Sequence, residues 1–350
     1  MKINEHQLKK LISNKNVWFK NPDDVYYLTS FKSSNLNLFY IDKKWYGITD
    51  DRYYNQAKKD LIWINILNVN DSPFKNILVP EILKSKKPLS VDYEFLNLKE
   101  FNYLKANYPL LKIKSESFNY LRMLKNESEI ELIKKAVFVT DQIYKKLLLY
   151  IKAGKTEKDI KQKMHKLLIE YKDCEFAFDP MIAAGKNSAN PHIEPTNSTL
   201  KKGDIVVIDF GVSYKGYKSD MTRTILIGND VTKMQKKIFD LVQYGLNKVI
   251  EIIKPGVLIK ELDKVIREIF QEEGYDKYFI HALGHGVGLN IHEEPVISGR
   301  SNLILEPGMI ITIEPGIYLP NEFGVRLEQD VLITEKGHQV LNNSPIGLKI

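Results

Sequence analysis

The 350 residues include one cysteine, Cys174, so no disulfide forms within the chain. That fits a reducing compartment, with the cytoplasm as the default. No apolar run approaches the ~18 residues that a membrane span needs. Met1 to Ile12 is polar and charged, without the apolar stretch of a secretory signal. Arginine is also scarce: six of the 51 basic residues, the rest being lysines spread along the whole chain. The net charge of +7 therefore does not point to nucleic acid, whose sites cluster the planar guanidinium fork. The glycine loops of nucleotide sites are missing too. Gly284-His285-Gly286-Val287-Gly288 lacks a Gly-Lys-Ser/Thr ending, and no Gly-x-Gly-x-x-Gly run opens a βαβ unit. A structural zinc site is excluded by the single thiol.

What is present divides into two parts, as the length suggests. Residues 1–120 read as a small α/β domain. Asn37–Asp42 and Trp45–Thr49 form a hairpin around Asp42-Lys43-Lys44. Leu61–Leu67 and Asn76–Val79 read as further strands, and Leu96–Lys105 has helical spacing. All three tryptophans lie here and no catalytic-looking cluster does, so the expected role is structural or in assembly.

Residues 121–350 read as the second domain. Asn126 with Glu129 makes a capping box, in which side chains satisfy the free N–H groups of a helix start. Thr156 with Asp159 opens a second helix, to about Tyr171. About a hundred residues later the order recurs, with helices over Val231–Lys254 and Leu258–Glu272. Each helix pair is followed by a glycine-containing stretch with a histidine, Gly185 to His192 and Gly284 to His292. Each then leads into an apolar strand, ending at Asp209 in one case and Glu314 in the other, six residues after a glycine. This is an internal duplication of a helix–helix–strand–strand unit. The expected fold is α+β, two sheets side by side with helices on one face and a cleft between the halves.

An acid at the end of Ile205-Val206-Val207-Ile208 loses hydration on burial and needs a partner. Lys215-Gly216 makes a natural turn, and pairing with indices summing to about 429 puts Asp220 opposite Asp209. A reversal near Asn321 likewise puts Glu328 opposite Glu314. Like charges facing each other across a ladder are destabilising, so two such pairs call for shared cations. Four carboxylates are balanced by two divalent ions, and two-metal sites use bridging carboxylates. A neutral imidazole from the stretch holding His281, His285 and His292 completes the set; it carries three of the chain's seven histidines. His6, His165 and His338 have no such support and read as surface residues.

These residues resemble the pita-bread metallopeptidases, which include methionine aminopeptidase, prolidase and aminopeptidase P. The matching motifs are Ile208-Asp209-Phe210-Gly211, Tyr217 to Thr224, Gly284-His285-Gly286-Val287-Gly288 through His292-Glu293-Glu294-Pro295, Ile313-Glu314-Pro315-Gly316-Ile317-Tyr318, and Gly324-Val325-Arg326-Leu327-Glu328. Tyr27-Leu28-Thr29-Ser30-Phe31 and Thr49 to Tyr53 look like the N-terminal domain of the proline-specific branch, which methionine aminopeptidases lack. The resemblance implies a creatinase/prolidase-like N-terminal domain before a pita-bread catalytic domain. It also implies cleavage of Xaa-Pro peptides or dipeptides by a hydroxide held between two metals. Asp209 would bind one ion, His285 and Glu314 the other, and Asp220 and Glu328 both. Glu314 would accept the proton, with His292 at the carbonyl oxygen or leaving nitrogen. His192 and His281 would line the pocket, and Arg326 would meet a substrate carboxylate. An oxygen-rich cage with one histidine suits Mn²⁺, with Co²⁺, Fe²⁺ or Zn²⁺ as alternatives. A homodimer is expected from the N-terminal resemblance. Two positions depart from the pattern: Gln329 and Asn290 stand where relatives often carry acids. The rival readings are a methionine-aminopeptidase-like exopeptidase, and a peptide-binding protein that kept the fold without the chemistry.

Overall fold

Asp42 and Lys43 take positive φ angles of 44° and 66°, the twist that a two-residue hairpin loop needs. They join strands Asn37–Ile41 and Lys44–Thr49, the third and second strands of a six-stranded sheet counted from its Asn65–Asn68 edge. The computed structural model describes residues 5–348; the first four residues of the polar stretch Met1–Ile12 lie outside them. Two compact units divide the chain, Met1–Arg122 and Met123–Ile350.

In the first unit the sheet mixes the antiparallel hairpin with parallel strands Asn65–Asn68, Leu89–Val91 and Ile113–Ser115. Trp18, Phe39, Leu89 and Leu104 are buried in one of its core clusters. One expected strand is absent. Asn76–Val79 is helical, within a wide turn over Phe74–Leu78 that continues as helix Val79–Ser85. Four apolar residues cannot distinguish the two periods. Leu78 and Ile82, one helical turn apart, are both buried, which decides for helix.

The second unit holds the duplication. Helices Glu127–Leu148 and Glu157–Leu168 start on the capping boxes Asn126/Glu129 and Thr156/Asp159. They precede a three-stranded antiparallel sheet of Met181–Ala184, Ile205–Asp209 and Thr222–Leu226. Helices Lys233–Ile252 and Ile259–Glu272 then precede a five-stranded sheet whose centre is Ile310–Ile313 beside Gln329–Ile333. A seam joins the halves. The Glu328 N–H donates to Thr222 O (3.2 Å), and Thr224 Oγ1 bonds Arg326 O (2.7 Å) and Arg326 N (3.1 Å). The strand ends that carry the acids therefore converge.

Candidate metal centre

The expected register of the first hairpin is off by two. Lys215 and Gly216 both have positive φ, 50° and 90°, and are themselves the two loop residues. That pairs Tyr214 with Tyr217 and puts Thr222, not Asp220, opposite Asp209. Because strand residues two apart share a face, Asp220 stays on the side of Asp209, displaced along the ladder. In the second half, pairs Ile313–Gln329 and Gly316–Arg326 bracket Glu314 and Glu328, consistent with the expected facing pair.

Strand Gly284–Gly286 delivers the histidine. A Cβ at Gly284 would lie 2.0 Å from Thr312 O, so only glycine allows this strand so near its neighbour. His285 N then reaches Thr312 Oγ1 at 3.0 Å. The His285 Nδ1–H donates to Gly286 O (3.0 Å), which directs Nε2 at the acids, 3.3 Å from Glu314 Oε1 and 3.8 Å from Asp220 Oδ2. Each of Asp220, His285 and Glu328 offers an atom within 4.8 Å of the others. Asp209 is held by Arg326 Nη2 at 2.5 Å.

The donor set fits divalent cations. Asp209 Oδ1, Asp220 Oδ1 and Glu328 Oε1 are buried without a hydrogen-bond partner, an unfavourable state for carboxylate oxygens unless a cation meets them. Burial, reinforced by Glu328, Asp209 and Glu314, pushes the Asp220 carboxyl well above its ordinary range. Burial with Glu314, Asp209 and Asp330 does the same to Glu328. Burial also raises Asp209, against the pull of Arg326. Glu314 differs: burial pushes it up, but the His285 hydrogen bond and charge prevail and hold it low. The same pair raises His285 despite burial.

The remaining expected residues are placed unequally. His292 is exposed but packs edge-on against His285, ring centroids 4.4 Å apart; burial and the positive field of His285 lower its pKa, keeping it neutral near pH 7. His192 is exposed, its N–H held by Asn190 Oδ1 at 3.0 Å. His281 is half-buried, with Nδ1 donating to Ala282 O and Nε2 accepting from Tyr318 OH at 3.0 Å. Arg326 departs from expectation. Instead of standing open to a substrate carboxylate, it is 4% exposed and bonds Asp209, Thr222 Oγ1, Tyr318 OH and Pro191 O. A guanidinium on an interior strand takes the nearest carboxylate. His338 is half-buried on Ile253 O, while His165 is exposed and the His6 side chain lies outside the described residues.

Four supporting residues had no role in the sequence reading, although Thr222 and Tyr318 lie within its motifs. Thr222 Oγ1 donates to Glu328 Oε2 (2.8 Å). Thr312 Oγ1 reaches Glu314 Oε1 (3.3 Å), and Asp330 Oδ2 accepts from Asp220 N (3.0 Å). Tyr318 joins His281 to Arg326. Thr222, Thr312 and Asp330 each stand two residues from an acid of the cluster, so the strand period could have found them. Gln329 points to the other face, where its Oε1 accepts from buried Arg223 (3.1 Å). Asn290 N donates to Glu293 Oε1 (3.1 Å).

Known proteins share this fold. Residues 131–335 match metallopeptidase family M24, and residues 3–124 match the creatinase/prolidase N-terminal domain. An Xaa-Pro dipeptidase of Pyrococcus furiosus is 42% identical over 75% of this chain and 76% of its own. The solved Xaa-Pro dipeptidase of Bacillus anthracis superimposes with a TM-score of 0.90 at 30% identity, over 99% of this chain and 98% of that one. The X-Pro aminopeptidase of Thermotoga maritima gives 0.84 at 31% identity, over 98% and 99%. The protein belongs to metallopeptidase family M24.

Proposed function

We propose that the protein hydrolyses the bond between a first residue and a following proline, in dipeptides or at the N-terminus of longer peptides. The observation that carries this reading is the convergence of Asp220, His285 and Glu328 beside Asp209 and Glu314, with three carboxylate oxygens buried and unpartnered. The names of the relatives support the choice of proline.

Asp209, Asp220, His285, Glu314 and Glu328 would hold two divalent ions, Mn²⁺ by the oxygen-rich donor set. When bound, the ions supply an acidified water as nucleophile and a Lewis acid for the scissile carbonyl. Glu314, ionised beside His285, takes the proton of the attacking water and returns it to the departing proline nitrogen. Neutral His292 donates its ring N–H to the carbonyl oxygen or to that nitrogen. Arg326 is a positioning residue: it orients Asp209 and, through Tyr318, the His281 wall. His192 and His281 flank the substrate. A homodimer is part of the same reading, which light scattering on the intact protein checks.

The test is hydrolysis of Ala-Pro and Ala-Pro-Xaa peptides with and without added Mn²⁺ or Co²⁺. Metal-dependent release of alanine is expected, lost in Glu314→Gln. No cleavage in metal-replete buffer, with Glu314→Gln indistinguishable from wild type, would sink the reading.

A further inference from the structure

A cleft of about 720 Å³ opens within the second unit, lined in part by Tyr318. Its walls adjoin the site at three places. Tyr318, in its lining, bonds His281 and Arg326. Asn190, on its wall, holds the backbone of His192. Ile280, 64% exposed on the same wall, immediately precedes His281. The volume lies within the range of small-molecule sites and exceeds what one carboxylate fills.

The charge in this cleft has one sign. Lys186 and Lys277 line it, and no aspartate or glutamate does. Among the described residues neither lysine pairs with a carboxylate; the Lys277 ammonium rests over the Tyr278 ring, 5.0 Å from its centroid. None of the acids of the metal centre lines the cleft, and Arg326 bridges Tyr318 to Asp209. A peptide seated against the cleft therefore meets two uncompensated ammonium groups beside an apolar wall.

We propose that this cleft is a second substrate subsite, which takes the peptide chain away from the scissile bond and selects a carboxylate there through Lys186 and Lys277. The carboxylate comes either from the C-terminus of a short peptide or from an Asp or Glu side chain. This rests on the peptidase reading above and adds a charge preference to it.

The experiment uses metal-replete full-length protein and four peptides: Ala-Pro-Gln amide, Ala-Pro-Gln free acid, Ala-Pro-Glu amide and Ala-Pro-Lys amide. Two exposed charges give about a three- to tenfold preference in kcat/KM for each carboxylate-bearing peptide over Ala-Pro-Gln amide. Ala-Pro-Lys amide should be the poorest of the four. In the Lys186→Ala/Lys277→Ala variant the ratios fall to near unity. A gain for the free acid alone identifies the C-terminus as the source; a gain for the Glu amide alone identifies the side chain. Equal ratios in the wild type, or ratios that survive in the double variant, overturn the proposal. Calorimetric binding of the same peptides separates the two readings. Lysine-dependent binding of the carboxylate peptides without any hydrolysis leaves the subsite standing and removes the peptidase reading. Hydrolysis with no charge preference in either assay does the reverse.

Discussion

The two halves of the second unit each bring two acids to the cluster, but in different registers. In the first, the loop Lys215-Gly216 sets Thr222 opposite Asp209 and leaves Asp220 one step along the same face. In the second, the reversal around Asn321 pairs Leu319 with Phe323, and pairs Gly316–Arg326 and Ile313–Gln329 keep one register on either side of Glu314 and Glu328. The face matters more than the register. Side chains two apart on a strand point the same way, so an acid can slide by two residues and still reach the centre. The slide leaves room for a hydroxyl, and Thr222 uses it to hold Glu328 of the opposite half.

The largest break in this comparison is to remove one acid from each half. Asp220→Ala and Glu328→Ala should each lower kcat/KM on Ala-Pro by on the order of 10³-fold, since both halves share the charge stabilisation. A variant of either half that keeps more than roughly a tenth of the activity would show that half to be dispensable.

A smaller effect should separate the hydroxyls. Thr222→Val removes a 2.8 Å donor to Glu328 and the acceptor of Arg326 Nε. Such supporting contacts are worth about 10- to 100-fold in metal affinity. Thr312→Val removes a longer 3.3 Å contact to Glu314 and should cost less. Calorimetric titration with Mn²⁺ ranks the two; the opposite order would contradict the unequal roles of the halves.

The smallest effect is a stability slope. Burial pushes Asp330, which accepts from the Asp220 N–H, up to about 7. Its folded pKa lies above the unfolded value of about 4. The folded chain thus keeps a proton that the unfolded chain releases. This contribution is complete below the unfolded pKa and is lost as pH rises through about 7. Metal-free wild type should lose thermal stability between roughly pH 4 and pH 7, by at most ~1.4 kcal/mol per pH unit from this group. Asp330→Asn should flatten that slope in thermal melts, and an unchanged slope would remove Asp330 as its source.

Much of this was legible in the chain because strong local chemistry wrote it. The capping boxes at Asn126 and Thr156 mark helix starts without tertiary help, and the repeated glycine-to-acid spacing at Asp209 and Glu314 exposes the duplication. The losses have equally local causes. Lys215-Gly216 signals a turn but not which residues occupy its centre, and that shifted Asp220 by two positions. Asn76–Val79 is too short for its period to be read. The full engagement of Arg326 depends on contacts with Pro191, Asp209 and Thr222, more than a hundred residues away, which no window of sequence contains.

The most direct test of a centre shared by both halves is to titrate metal-free protein with Mn²⁺ while following heat and Ala-Pro hydrolysis together. The account predicts two ions bound per chain, activity absent beforehand, and a plateau reached as both sites fill. Full activity in the presence of chelator, or a Glu328→Ala variant that binds two ions and hydrolyses Ala-Pro like the wild type, would contradict it.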